Sequence, residues 1–206
     1  MKQAGMTQDE SGMIFITQRP QLPRISVANK VHQNKMLCLG LFHQHKSFFM
    51  QKITPFLWFN DNAEEAVNFY CFVFKEAKAG EMVRTGPEGK VLTAPFELFG
   101  QKFTALNGGP HFTFTEAVSF VVHCDDQEEV DYYWNKLTEG GKPSRCGWLK
   151  DKFGLSWQIV PKALPKLLGD KDPARSGRVM QTLMQMDKLD IAKLEDAYAG
   201  RETTAA

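Results

Sequence analysis

The chain has 206 residues, of which 43% are hydrophobic and 24% are charged, and its formal net charge is +1. This length and apolar fraction suffice for one packed domain with accessory segments. The balanced charge excludes a general attraction to nucleic acid or to an anionic membrane. Four cysteines without a CxxC pair are typical of a reduced, cytoplasmic protein. Moreover, no apolar run approaches the roughly 20 residues of a membrane-spanning helix.

Residues 1–49 lack the periodicity of a helix or a strand. They contain six lysines and arginines against two acidic residues, a net charge of +4. We predict a disordered basic extension. Its histidines have no neighbouring cysteines or paired carboxylates, so we interpret them as solvated side chains and not as a metal site. Met50 precedes the first patterned strand and is a candidate start of the folded protein.

A strand followed by a helix occurs twice in the chain. The pattern predicts strands over 52–59 and 118–124, and helices over 63–74 and 126–139. In both copies an Asn or Asp can cap the helix, with a Glu three residues later as a capping box, and the two caps are 64 residues apart. Two similar units in one short chain predict a domain of paired repeats with a cleft between them.

The remaining elements follow each helix. Turn signals separate three strands after the first helix and two after the second, and the pattern beyond Pro161 becomes helical. The methionines of this last part indicate core or subunit packing. The predicted strands cover 79–85, 91–99, 102–107, 146–150 and 155–160, and the predicted helices lie at 163–168, 173–186 and around 191–198.

Four segments carry a resemblance to a known family. They are ITPFLWF (53–59), ALNGGP (105–110), CGWLKD (146–151) and FGLSWQIVP (153–161). In this order they resemble the PhnB-like branch of the vicinal oxygen chelate superfamily, which includes glyoxalases, bleomycin-resistance proteins and extradiol dioxygenases.

The resemblance implies an α+β fold and a homodimer. Two βαβββ modules, at about 52–110 and 116–161, would form a curled sheet around a pocket, as in the glyoxalase/bleomycin resistance/dioxygenase fold. C-terminal helices over 162–200 would complete a domain of residues 50–200, and 201–206 would be a tail.

The same resemblance bears on metal binding. In metal-using relatives each module supplies one ligand from its first strand and one from its last. Here these positions are Thr54 or Pro55, Ser119, a residue within 105–107, and Gln158. None is a histidine or a carboxylate, and neutral hydroxyls and amides are weak ligands for a divalent ion. We therefore expect no metal and no other cofactor.

Strand alternation predicts the lining of the pocket. It places Pro55, Leu57 and Phe59 on one face of the first strand and Ser119, Val121 and His123 on the matching face of the second copy. His123 is a candidate general base, although a histidine bonded to a backbone carbonyl is the favoured interpretation. The eight predicted ligand-binding residues are Pro55, Leu57, Phe59, Asn107, Ser119, Val121, His123 and Gln158.

We predict that the protein binds a small organic molecule in an apolar pocket without a metal. Two alternatives stay open: an enzyme, either a metal-assisted lyase or isomerase or the 3-demethylubiquinone-9 3-methyltransferase of the family label, and a drug-sequestering binder. An enzyme needs a positioned acid or base, whereas a binder needs only shape and a few polar contacts. An adenosyl methyl donor would require a glycine-rich loop after a parallel strand, and Gly108-Gly109 reads as a plain turn.

Overall fold

A computed structural model describes residues 51–201. The extension predicted over 1–49, with its histidines, lies outside these residues. The described part folds into two sheets, each with one helix in its first crossover, followed by three C-terminal helices. No helix within 51–201 is both long and apolar enough to span a bilayer.

The first module contains one helix and five strands. Its first strand pairs in parallel with its last, giving the sheet order β1-β5-β4-β2, with the short β3 added to β4. The predicted strand 79–85 is therefore divided in two. The elements are β1 (Phe56–Phe59), α1 (Ala63–Val73), β2 (Ala77–Ala79), β3 (Val83–Thr85), β4 (Lys90–Leu98) and β5 (Gln101–Asn107).

The second module repeats this topology. Its sheet order is β6-β9-β8-β7, with the first and last strands again parallel. The two-residue β7, which the sequence pattern did not predict, completes the second βαβββ unit. This confirms the α+β fold of paired βαβββ modules. The elements are β6 (Phe120–Cys124), α2 (Gln127–Thr138), β7 (Lys142–Pro143), β8 (Trp148–Lys150) and β9 (Ser156–Pro161).

The two module helices begin with different caps. At α2 the side chain of Asp126 accepts from the backbone N–H of Glu129 at 2.9 Å, and the Glu129 carboxylate accepts from Asp125 N at 2.8 Å. This confirms the predicted cap at Asp126 and the return contact of Glu129, which reaches the N–H one residue before the cap. The predicted cap at Asn62 is wrong, because its side chain makes no capping hydrogen bond.

A buried carboxylate joins the modules. Asp151, in the turn between β8 and β9, is 3% exposed and accepts four hydrogen bonds. One comes from the hydroxyl of Tyr70 on α1 at 2.8 Å, and another from the indole of Trp157 at 2.9 Å. The ring of Tyr70 stacks on Phe96 of the first sheet and meets Trp157 of the second edge to face. One hydrophobic core therefore spans both modules.

The C-terminal helices form a second, smaller core. They are α3 (Leu164–Leu168), α4 (Pro173–Leu183) and α5 (Ile191–Ala199), and their apolar cluster contains Val179 and Leu194. The segment between α4 and α5 also fixes the loop before β8. Cys146 N donates to Met186 O at 2.7 Å, and Gly147 N donates to Asp187 O at 2.8 Å.

Candidate functional site

Equivalent buried positions in the first strands of the two modules are 65 residues apart, whereas the cap positions of the two helices are 64 residues apart. Leu57 and Phe59 are buried in the core in β1, and the buried residues of β6 are Val122 and Cys124. The loop from β1 to the helix has one residue more than the loop from β6. Because a shift of one residue exchanges the two faces of a strand, the prediction that Leu57 and Phe59 share a face with Val121 is wrong.

Two further predicted residues lie at the first sheet. The carbonyl of Pro55, just before β1, accepts from Thr104 N at 3.0 Å. Asn107, at the end of β5, uses both groups of its amide within the fold. It accepts from Ala63 N at 2.8 Å, at the start of α1, and donates to Val91 O at 3.0 Å. Asn107 therefore takes the capping role that the sequence assigned to Asn62.

Val121 and His123 line a groove between β6 and the β4–β5 hairpin. The groove encloses about 640 Å³ and is also lined by Glu76, Glu129 and Trp157. The side chain of His123 is exposed, and its imidazole makes no hydrogen bond within the described part of the chain. The carbonyl partner that we favoured for it is therefore absent there, and its role as a base stays a prediction.

Ser119 and Gln158 form a direct pair on the face of the second sheet opposite α2, which we call the open face. The amide Nε2 of Gln158 donates to Ser119 Oγ at 2.8 Å. The strand register places Val121 of β6 on one side of Gln158 and Trp148 of β8 on the other. Val121, Gln158 and Trp148 therefore lie side by side on three strands, and together with Ser119, just before β6, they form a strip on the open face.

A cavity of about 500 Å³ adjoins this strip at Trp148. We call it the basic cavity. Its lining comprises Glu116, Lys142, Pro143, Ser144, Arg145, Cys146, Trp148, Leu149, Lys150 and Ser156. Sequence reasoning missed it, because its walls come from the linker before β6, the edge strand β7 and the loop before β8. The alternation of Ser156 with Gln158 along β9 was the available signal.

The charges of the basic cavity are unequal. Lys142, Arg145 and Lys150 stand against the single carboxylate of Glu116, which contacts Lys150 Nζ at 2.6 Å. The hydrogen bond from Lys150 is the main cause of a lowered pKa at Glu116, and the charges of Lys150 and Lys142 add to it. Three cations and one anion leave the cavity with a net charge of +2.

A divalent metal does not suit the positions that the resemblance implies. The 65-residue offset makes Thr54 the equivalent of Ser119 and Phe56 the equivalent of Val121. Phe56 pairs with Thr104 in the first sheet, and Val121 pairs with Gln158 in the second, so Thr104 is the equivalent of Gln158. The last-strand position thus lies at 104, and not within 105–107 as predicted. Three hydroxyls and one amide are poor ligands. Among residues 51–201 there is also no group of three or more histidines, cysteines and acids that could hold a metal ion.

The comparisons with known proteins agree with this architecture. Residues 51–160 match the model of the family described as 3-demethylubiquinone-9 3-methyltransferase. The PhnB protein from Bacillus cereus has 37% sequence identity and a TM-score of 0.51, covering 54% of this chain and 99% of its own. None of the curated proteins compared with the chain matches it.

Two other solved structures extend the comparison. A protein from Pseudomonas aeruginosa has 20% identity and a TM-score of 0.48, covering 54% of this chain and 98% of its own. A protein from Staphylococcus aureus has 31% identity and a TM-score of 0.27, covering 55% of this chain and 98% of its own. The predicted resemblance to PhnB-like proteins is confirmed by the family match and by the Bacillus protein.

Proposed function

Because the chain belongs to the 3-demethylubiquinone-9 3-methyltransferase family, the PhnB-like branch of the vicinal oxygen chelate superfamily, we propose that it binds a small organic molecule on the open face of its second sheet. The observation that carries this proposal is the basic cavity, whose volume of about 500 Å³ suits a small ligand. Trp148 offers an aromatic wall, and the Ser119–Gln158 pair offers a donor and acceptors beside it.

The proposed binding needs no metal. Ser119 and Gln158 satisfy each other at 2.8 Å, and Thr54 and Thr104 carry no charge. A divalent cation at these positions would lose its hydration without an anionic ligand in return. These residues support metal-free binding over a metal-assisted lyase or isomerase.

Methyl transfer, the activity in the family's name, finds little support at the two strand–helix turns. A nucleotide-like methyl donor is held by glycine-rich turns whose N–H groups point at the ligand. Here β1 leads into α1 through Asn60, Asp61 and Asn62, and β6 leads into α2 through Asp125 and Asp126. Asp126 already occupies the start of α2, and Asn107 that of α1. Binding without methyl transfer is therefore the better supported function.

A drug-sequestering protein would use the same cavity. It differs from the first proposal only in the identity of the ligand, since neither requires a catalytic acid or base.

We further propose a homodimer, located in the cytoplasm. The first strand of each sheet, β1 and β6, lies at a sheet edge, where backbone groups remain available for pairing. Two apolar side chains are exposed on these strands, Phe56 at 60% and Val121 at 43%. A second copy of the chain would cover such edges. The free thiols of Cys71, Cys124 and Cys146 suit a reducing compartment.

Ligand-detected NMR with a library of small aromatic compounds tests the binding site. Hits should lose at least about fivefold in affinity on Gln158→Ala, which removes one polar partner. Gln101→Ala is the matched control, because Gln101 lies on β5 of the first sheet and lines only the groove between the modules. Hits that respond to Gln101→Ala and ignore Gln158→Ala would place binding between the modules and contradict the proposal.

A further inference from the structure

We infer that the basic cavity holds the acidic group of an organic ligand, such as a carboxylate or a phosphonate. The inference rests on the proposed function and adds the chemical class of the ligand. It depends on three features of the cavity: a buried hydroxyl without a partner, an opposed pair of lysines, and a loop that holds a third cation beside them.

The unpartnered hydroxyl belongs to Ser156. This residue is 1% exposed, and its Oγ has no hydrogen-bond partner, although nearly all buried polar groups have one. It is the only such side-chain atom among the described residues. Ser156 is among the residues that line the basic cavity, so this unsatisfied hydroxyl lies in the wall against which a ligand would bind. A hydroxyl can donate to an anionic oxygen, and hydrogen bonds to charged groups are the stronger ones.

The opposed lysines are Lys142 on β7 and Lys150 on β8. They are direct cross-strand partners in the β7–β8 ladder, and like charges in that position are unfavourable. Glu116 forms an ion pair with Lys150, whereas no carboxylate within 51–201 forms one with Lys142. An acidic ligand between the two lysines would relieve their repulsion. Ser156 faces Lys150 in the β8–β9 register, which places the hydroxyl next to this charge.

The third cation, Arg145, is placed by the loop before β8. Its guanidinium donates to the carbonyl of Met184 at 3.3 Å. The next residue, Cys146, has a left-handed backbone with φ of 59°, a conformation that costs energy in a non-glycine residue and persists where the surroundings hold it. Met186 O holds it here, by accepting from Cys146 N at 2.7 Å. The C-terminal segment thus fixes the wall of the cavity that carries Arg145.

Matched probes separate the acidic group from the rest of a ligand. Phenylphosphonate and benzoate share a ring with neutral benzamide, and inorganic phosphate has no ring. Each is titrated into the ¹⁵N-labelled protein and followed at the indole N–H of Trp148, which Trp148→Phe assigns. We expect both acids to bind at least about tenfold more tightly than benzamide or phosphate, as charge-assisted hydrogen bonds combine with ring contact.

Three variants locate the acidic group. Ser156→Ala, Lys142→Gln and Lys150→Gln should each weaken phenylphosphonate or benzoate about fivefold and leave benzamide unchanged. Lys171→Gln, an exposed lysine that does not line the cavity, removes the same charge elsewhere and should change nothing.

The outcomes distinguish the two proposals. If benzamide binds as tightly as the acids, the ligand need not be acidic, and the binding site itself is unaffected. The same conclusion follows if none of the three variants weakens the binding of the acids. Phosphate binding as tightly as phenylphosphonate would reduce the site to one for a bare anion and contradict an organic ligand. If no probe shifts Trp148, the proposed function itself fails.

Discussion

Removing one hydroxyl from the junction of the modules should measurably destabilise the protein. Tyr70→Phe deletes the hydrogen bond to Asp151 and keeps the ring against Phe96 and Trp157. Burial, together with the neighbouring carboxylate, raises the pKa of Tyr70 well above its usual value. The phenol is therefore protonated and donates at any pH at which the protein would be studied.

The expected magnitude follows from the surroundings of Asp151. Burial raises the pKa of this carboxyl, while its four hydrogen bonds lower it. Loss of one hydrogen bond to a buried charged group costs about 2 kcal/mol. Asp151→Asn should cost more, about 4 kcal/mol of the free energy of unfolding. Both carboxylate oxygens accept hydrogen bonds, so the NH₂ group that replaces one of them would face hydrogen-bond donors. For a domain of this size each kcal/mol corresponds to about 3 °C in Tm.

Thermal unfolding followed by circular dichroism measures both variants. Tyr70→Phe should lower Tm by about 6 °C and Asp151→Asn by about 12 °C. Tyr132→Phe is the matched control, since its hydroxyl donates to the neutral carbonyl of Val73 at 2.9 Å and should contribute only about 1 kcal/mol. The double variant of Tyr70 and Asp151 should lose less than the sum of the single losses. A Tyr70→Phe protein as stable as Tyr132→Phe would refute this account of the junction.

Three shorter predictions concern metal, assembly and thiols. Adding nickel, zinc or manganese should shift Tm by less than about 1 °C, because a ligand stabilises only as far as it occupies the folded state; a large saturable shift would contradict metal-free binding. Light scattering should give the mass of a dimer, and Phe56→Glu should reduce it to that of a monomer; an unchanged dimer would place the contact elsewhere. Burial is the main cause that raises the pKa of Cys124 to about 12. Iodoacetamide at pH 8 should therefore leave this thiol unmodified in the folded protein, as peptide mapping can check.

Strand and helix periodicity predicted most of the strands and helices, but it could not assign the faces of β1. The helices α1 and α2 begin and end within one residue of their predicted bounds. The strand faces depended on the length of a loop, and the loops after Phe59 and Cys124 differ by one residue. Both copies align equally well at the helix, so only the buried positions of each strand reveal the difference.

The capping of α1 and the basic cavity depend on contacts between distant parts of the chain. Asn107 reaches Ala63 because β5 pairs in parallel with β1, which brings the end of one strand to the start of the helix after the other. Lys142 and Lys150 become neighbours through a strand of two residues, too short for an alternation pattern. Ser119 and Gln158 could be placed together from the sequence, because the family resemblance supplied the topology that single-strand patterns lack.

Replacing the neutral pair on the open face with metal ligands tests whether chemistry or geometry prevents metal binding. Ser119 and Gln158 already approach within 2.8 Å, so Ser119→His with Gln158→Glu would place an imidazole and a carboxylate side by side. These are ligand types that Zn²⁺ accepts. Two ligands give weak binding, and we expect a Kd in the range of about 0.1 to 1 mM for zinc by calorimetry.

The corresponding double variant at Thr54 and Thr104, also to His and Glu, is the internal control in the first module. If side-chain chemistry is the obstacle, both double variants should gain zinc affinity and the unmodified protein should show none. Zinc binding by the unmodified protein, abolished by Gln158→Ala, would overturn the metal-free assignment. Absence of binding in both double variants would instead show that the strand geometry does not bring the ligands into a common coordination sphere.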